Sequence, residues 1–378
     1  MTSVRESTPA VRVEPPTARP EVHRARILLE DGSTYEGVSF GRHASTSGEF
    51  VFCTGMMGYP ETLTDPSYCG QVVVSTYPMV GNYGVPARDH ADPIDGTLES
   101  DRIWVKGLVV ADYSPWHSHW TSRGSLGEWL DDEGITGVTG IDTRALTKRL
   151  REHGSMLGKI VVDEADCDFD DPNIENLATR VSVREPVTYA PTGNTLARVA
   201  LLDCGVKLNI IRSLTRRGVE VLRVPWDHPV DALGVDGLMI SNGPGNPRFL
   251  RSAARVVRTA IDDDMPTFGV CMGNQLVALA IGASTFKLKY GHRGQNQPVR
   301  EVGTRRCYVT SQNHGFAVAP GTLPNGWSPW FENLNDGTNE GLRHESGRFF
   351  SVQFHPEACP GPVDTAFLFD RFVEVLTR

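Results

Sequence analysis

The chain of 378 residues has no basic excess: 37 Lys and Arg stand against 46 Asp and Glu, a formal net charge of −9. A nucleic-acid-binding surface needs the opposite balance, which sets that class of function aside. No apolar run approaches the ~18 residues of a membrane-crossing helix, and residues 1–25 lack the apolar stretch of a secretory leader. Of the seven cysteines, at 53, 69, 167, 204, 271, 307 and 359, no two have the C-x-x-C spacing of a zinc or redox site. Their odd count and scatter fit a reduced, cytoplasmic protein in which most cysteines serve as small core hydrophobes. No G-x-x-x-x-G-K-[ST] loop occurs, so nucleotide chemistry of that kind must lie on another chain. No metal site is expected either: His117 and His119 lie in a Ser- and Trp-rich loop without further ligands nearby in sequence.

What is present is an ordinary globular composition, 39% hydrophobic and 22% charged, long enough for two or three buried cores. Residues 1–25, with Pro9, Pro15, Pro16 and Pro20 among polar neighbours, read as a disordered extension. Residues 26–184 read as a β-rich α+β domain. It opens with a hairpin over 25–41 that turns at Asp31-Gly32, and it includes a helix over 141–154 with Leu146 and Leu150 on one face. Residues 185–196 hold Pro, Thr, Gly and Asn without an apolar period and read as a linker. Over 197–378, strands (197–203, 219–225, 236–241, 266–270) alternate with helices (207–218, 248–264, 273–283 and 364–378, the last capped by Asp364). Such alternation predicts a mostly parallel sheet flanked by helices, with ligands at the carboxyl ends of its strands.

Three motifs converge there. Gly269-Val270-Cys271-Met272-Gly273 joins a short apolar strand directly to a helix, the cysteine form of a nucleophile elbow. Small residues permit the sharp turn, and the helix N-terminus favours a thiolate. The amide of Met272 can then serve a developing oxyanion. His355-Pro356-Glu357 ends another apolar strand and offers a base with its orienting carboxylate. Gly243-Pro244-Gly245 offers a loop without bulky side chains, either a tight turn or a second source of oxyanion donors.

In that order, GPG, G-x-C-x-G-x-Q and HPE resemble the class I, triad-type glutamine amidotransferases. The resemblance implies that Cys271 attacks the glutamine amide, His355 acts as base and then acid, and Glu357 orients it. Gly243, Gly245, Met272 and Gln275 would then hold the substrate. YGHRGQNQPV (290–299) and SQNHGFAV (311–318), together with LEDGSTYEG, GYPETLTDPSYCGQ and GIDTRALTKRLREHG, resemble the carbamoyl-phosphate synthase small-subunit family. That likeness adds Ser67, Asn313, Gly315 and Phe316 to the glutamine site and leaves His292 and His314 structural. It further implies hydrolysis of L-glutamine to glutamate and ammonia, no cofactor on this chain, and a large synthetase subunit as partner, carrying ATP with Mg. The chain departs from the family pattern at Met272 (often Leu), Asn274 (often His) and Asn246 (often Asp), and 161–195 is shorter than usual. Two other readings remain: a glutaminase serving a different synthetase, such as those for GMP or anthranilate, and a catalytically dead scaffold.

Overall fold

Alternating burial builds the first unit. In the strand Arg24–Leu29, Ala25, Ile27 and Leu29 point inward, and the strand pairs antiparallel with Thr34–Gly41 across Asp31-Gly32. Gly32 takes φ +84°, and the Asp31 carboxylate accepts from the Ser33 amide at 2.8 Å, which fixes the turn. In this computed structural model the described residues are 21–88, 93–191 and 193–378. The expected disordered extension falls outside them up to residue 20. At its far end the expectation is corrected, because the first strand already begins at Arg24.

Seven strands close into a barrel in the order Arg24–Leu29, Thr34–Gly41, Thr136–Thr139, Gly107–Val109, Gln71–Ser75, Thr46–Cys53 and Met156–Val162. Phe50, Val72, Val109, Val138 and Ile160 pack together with Leu146 and Leu150 of the helix Thr143–His153. A second layer forms around Leu126, Trp129 and Leu130 of the helix Leu126–Asp132, whose N-terminus is closed by the Ser125–Glu128 capping box.

Residues beyond 196 supply nine strands of a ten-stranded sheet. Its centre is parallel, as the alternation predicts: Val219–Pro225, Ala197–Asp203, Gly237–Ile240, Thr267–Val270 and Phe349–Val352 lie side by side. Antiparallel strands extend it, Asn339–His344, Trp327–Asn333, Thr285–Glu301 and Cys307–Val318. Phe268, Phe350, Phe369 and Phe372 fill one face, and Leu276, Val277, Ala253 and Val257 the other. The linker expectation changes in part: Val187–Tyr189 is a strand, paired antiparallel with Val219–Pro225 at the sheet edge. The last helix spans Phe367–Leu376, and Asp364 does not cap it; its carboxylate accepts from the Val309 amide at 3.2 Å. Of the seven cysteines, Cys69, Cys204 and Cys271 are buried, fewer than expected, and all seven are free.

The long strand Thr285–Glu301 ties the two units together. Thr54 and Ser155 of the barrel unit donate amide hydrogens to the carbonyls of Arg293 and Lys289, at 3.1 and 2.9 Å. Three neighbouring parallel strands, Gly237–Ile240, Thr267–Val270 and Phe349–Val352, end against this junction. They lead into Ser241-Asn242-Gly243, Cys271 and Gln353–Glu357 respectively.

Candidate active site

Cys271 is the point at which strand becomes helix. Its backbone has φ 55° and ψ −99°, a strained conformation for a non-glycine residue, immediately before the helix Met272–Ala280. The flanking glycines make that turn possible. A Cβ on Gly269 would lie 2.6 Å from the Gly273 carbonyl oxygen, and one on Gly273 would lie 2.5 Å from that of Ile240. The Cys271 amide donates to Val352 O at 2.8 Å, which anchors the elbow to the strand that leads to His355. Its Sγ lies 3.6 Å from Asn313 O and accepts from Gln353 Nε2 at 3.7 Å. The amides of Met272 and Gly243 have no acceptor among the described residues and remain available as donors. Gly243 must be glycine, since a Cβ would come within 2.1 Å of Cys204 O.

His355 is 2% exposed, and its Nδ1 lies 2.6 Å from Glu357 Oε1. Burial disfavours the imidazolium, yet Glu357 and then Cys271 outweigh it, and the His355 pKa is raised to about 10. Nε2, the other ring nitrogen, has no partner at hydrogen-bond distance, although Cys271 is close enough to act on the ring. Such looseness is common before substrate tightens a site. Burial would raise the Glu357 carboxyl, but His355 and Lys207 hold it below the ordinary range.

Lys207 is a residue that sequence reasoning missed. Its Nζ lies 3.5 Å from Glu357 Oε1 and donates to Ala358 O at 2.6 Å. Burial opposes its charge, but Glu357, Glu99 and Asp65 more than compensate and raise its pKa. Glu99 was missed too: its carboxylate accepts from the Asn209 amide at 3.1 Å and meets Arg212 at 3.5 Å, while its main-chain carbonyl caps the helix Leu208–Thr215. The only sequence signal for Lys207 was a charged residue inside an apolar context, and Glu99, among Thr97, Ser100 and Asp101, had none.

Ser67, Gly243, Gly245, Cys271, Met272, Gln275, Asn313, Gly315 and Phe316 line one cleft at the junction of the two units. His355 and Glu357 stand behind Cys271, outside that lining. Ser67 is held by a network in which Asp65, also missed, is central. The Ser67 amide donates to Asp65 Oδ1 at 2.9 Å, Asn313 Nδ2 donates to Asp65 Oδ2 at 3.1 Å, and Asn242 Nδ2 donates to Ser67 Oγ at 2.9 Å. Gln275 Nε2 donates to Phe316 O at 3.0 Å, leaving its buried Oε1 without a partner. The lining also carries Arg293 and the pair Glu49–Lys287, joined at 2.7 Å.

The departures from the family pattern have local explanations. Asn274 bridges Ser351 Oγ and Gln353 Oε1 at 2.8 and 3.2 Å, and Asn246 Oδ1 caps the turn at the Arg248 amide. Met272 contributes only its amide to the proposed chemistry.

His117 and His119 bond to the neighbouring hydroxyls of Ser122 and Thr121 at 2.7 and 2.6 Å. The donor atoms of His292, His314 and Glu340 lie within 4.8 Å of one another, and all three residues are buried. Each imidazole is engaged: His292 Nε2 lies 2.8 Å from Asp336 Oδ2, and His314 Nδ1 lies 2.9 Å from Phe316 O. Burial, with His292 next, lowers the His314 pKa well below the ordinary value, so that ring is neutral. It buttresses the segment carrying Asn313, Gly315 and Phe316.

The family model "Glutamine amidotransferase class-I" matches residues 200–375, and "Carbamoyl-phosphate synthase small chain, CPSase domain" matches 27–160. The chain is 47% identical to the carbamoyl phosphate synthase arginine-specific small chain of Saccharomyces cerevisiae, over 94% of this chain and 89% of that one. The corresponding small chain of Aspergillus fumigatus is 45% identical, over 100% of this chain and 85% of its own. The multifunctional protein CAD of Squalus acanthias is 50% identical over 93% of this chain, which spans only 16% of that longer protein. Together, a small-chain domain at the front, an amidotransferase domain behind it and near full-length likeness to two small chains place this chain in the carbamoyl-phosphate synthase small-chain family.

Proposed function

We propose that the chain hydrolyses L-glutamine to L-glutamate and ammonia through a thioester on Cys271, and supplies the ammonia to a large synthetase chain that makes carbamoyl phosphate. The observation that carries this is the strained elbow of Cys271, backed by the buried His355–Glu357 pair at 2.6 Å. The match of residues 27–160 favours this over a glutaminase for GMP or anthranilate synthesis, and the intact triad favours it over a dead scaffold.

In this mechanism the Cys271 thiolate attacks the glutamine side-chain carbonyl carbon, and the displaced π electrons settle on oxygen facing the amides of Met272 and Gly243. With a pKa near 10, His355 is an imidazolium at neutral pH. As the C–N bond breaks, Nε2 gives its proton to the leaving amine and ammonia departs. The ring, now neutral, takes a proton from water as the water attacks the thioester. Collapse breaks the C–S bond, releasing glutamate and restoring the thiolate–imidazolium pair. Glu357 holds Nδ1–H throughout, and Lys207 balances the carboxylate. Ser67, Gln275, Asn313 and the Gly315-Phe316 backbone would hold the substrate, with charged Glu49, Lys287 and Arg293 in the same lining.

No cofactor is assigned to this chain; ATP with Mg belongs to the partner in this reading, which also sets the reaction in the cytoplasm. No helix among the described residues is long and apolar enough to cross a membrane. The test is a paired assay with the large chain. Cys271→Ser should abolish carbamoyl phosphate synthesis from glutamine while synthesis from ammonium salts persists. Retained glutamine use by the serine variant would refute the assignment.

A further inference from the structure

The glutamine cleft holds a positive charge that the protein itself leaves without a counter-ion. Arg293 is 4% exposed and lines the cleft beside Asn313, Gly315 and Phe316. Its guanidinium makes one hydrogen bond among the described residues, from Nη1 to the Tyr290 carbonyl at 2.7 Å. Nε is buried and has no partner. No carboxylate among the described residues forms an ion pair with it. Glu49 is near enough to feel its charge, but that carboxylate is already committed. It accepts from Lys287 Nζ at 2.7 Å, Gln71 Nε2 at 2.8 Å and Ser155 Oγ at 3.0 Å. A buried cation without a counter-ion is costly, and a guanidinium with free N–H groups matches the two oxygens of a carboxylate.

We propose that Arg293 binds the α-carboxylate of L-glutamine; the inference deepens the glutaminase reading and rests on it. Access and distance both support the assignment. A Cβ on Gly315 would lie 3.3 Å from Nη2, and one on Gly291 would lie 2.5 Å from Nη1. Glycine at both positions leaves the guanidinium its room at the cleft wall. Gly315 and Asn313 belong to the strand Cys307–Val318, and the Asn313 carbonyl lies 3.6 Å from Cys271 Sγ. Two residues of strand span about 6.6 Å. The side-chain amide carbon of glutamine and its α-carboxylate carbon are separated by four bonds, about 5 Å when extended. A substrate with its amide at Cys271 therefore brings its carboxylate to the level of Gly315, where Nη2 waits. Lys287, the other cation of this wall, is the weaker candidate, since its side chain is 41% exposed and tied to Glu49.

The test compares ammonia release by the full chain from L-glutamine and from L-glutaminamide, in which a neutral amide replaces the α-carboxylate. The parent should prefer glutamine by about tenfold to a hundredfold in kcat/KM, the worth of a hydrogen bond to a charged group. Arg293→Gln should raise KM for glutamine by a similar factor and largely keep kcat, because binding remote from the scissile amide is shared by ground and transition states. Its kcat/KM for glutaminamide should stay near the parent value, so that the preference collapses. Arg293→Lys keeps the charge without the fork and should retain part of the preference; this variant decides the question where the glutamine variant does not fold. An undiminished preference in both variants would overturn the proposal. So would a parallel loss for both substrates, which marks a purely structural arginine. A collapse in Lys287→Met with Arg293→Gln unaffected would overturn it too, by giving the carboxylate to the lysine. A parent chain that releases no ammonia from glutamine would refute the glutaminase reading instead, a result distinct from all of these.

Discussion

Charge around His355 determines when this site can work. The imidazolium is maintained by Glu357, which is maintained in turn by Lys207, and all three side chains are almost wholly removed from water. Replacing Glu357 with Gln keeps a hydrogen-bond acceptor at Nδ1 but removes the charge that raises the His355 pKa. The alkaline limb of kcat/KM for glutamine should therefore move to lower pH in Glu357→Gln, with kcat reduced less than in His355→Asn. An alkaline limb that stays in place would show that Glu357 does not set the charge of the ring. Ser67 and Asp65 act on binding instead: Ser67→Ala should mainly raise KM. Asp65→Ala, which releases Asn313 and Ser67 together, should raise it further. Equal and pure losses of kcat in the two would contradict that role. At this scale the triad was readable in the sequence because each member sits in a short motif with a backbone consequence. Asp65, Glu99 and Lys207 were not, since their partners lie more than a hundred residues away. No spacing rule reports such pairs.

At the scale of elements, the elbow is a steric construction. Gly273→Ala forces a methyl group toward the Ile240 carbonyl across the neighbouring strand, so it should displace the Cys271 turn. The expected result is loss of most glutaminase activity with a lower melting temperature; full activity would show that the turn has room to spare. A second element-level device joins the two units. Glu99 caps the helix Leu208–Thr215 from the other domain, and burial, opposed by Lys207 and Arg212, raises its pKa to about 7. A raised value means that the folded chain holds this proton more tightly than the unfolded chain. The stabilising contribution is complete below about 4.5 and is lost as pH rises through about 7. Thermal melts of Glu99→Gln should accordingly compare better with the parent at pH 8 than at pH 5. An identical difference at both would contradict a titrating Glu99. The strand–helix alternation after residue 196 was legible because apolar period and length distinguish its elements. The strand Val187–Tyr189 was not, because its residues are mostly exposed and its partner lies more than 30 residues ahead. Asp364 misled for a related reason: its side chain serves a strand amide, a tertiary contact that overrides a local cap signal.

Taken whole, the molecule is a barrel unit and a ten-stranded α/β unit that share one cleft, with the nucleophile on one side and Ser67 on the other. Closure of the first unit into a barrel was not evident from sequence, since barrel strands and open-sheet strands show the same alternation. The two-unit division was evident, because the texture changes from glycine-rich strands to strand–helix pairs near residue 197. Everything proposed for function depends on Cys271 carrying the acyl group while His355 serves both proton transfers. The most direct test is to quench the full chain in acid during turnover of L-glutamine, which halts hydrolysis of the acyl intermediate, and map covalent adducts by mass spectrometry. The account predicts a γ-glutamyl adduct on the peptide containing Cys271, absent in Cys271→Ser and removed by hydroxylamine. An adduct on another residue, or glutamate release by Cys271→Ser at the parent rate, would contradict it.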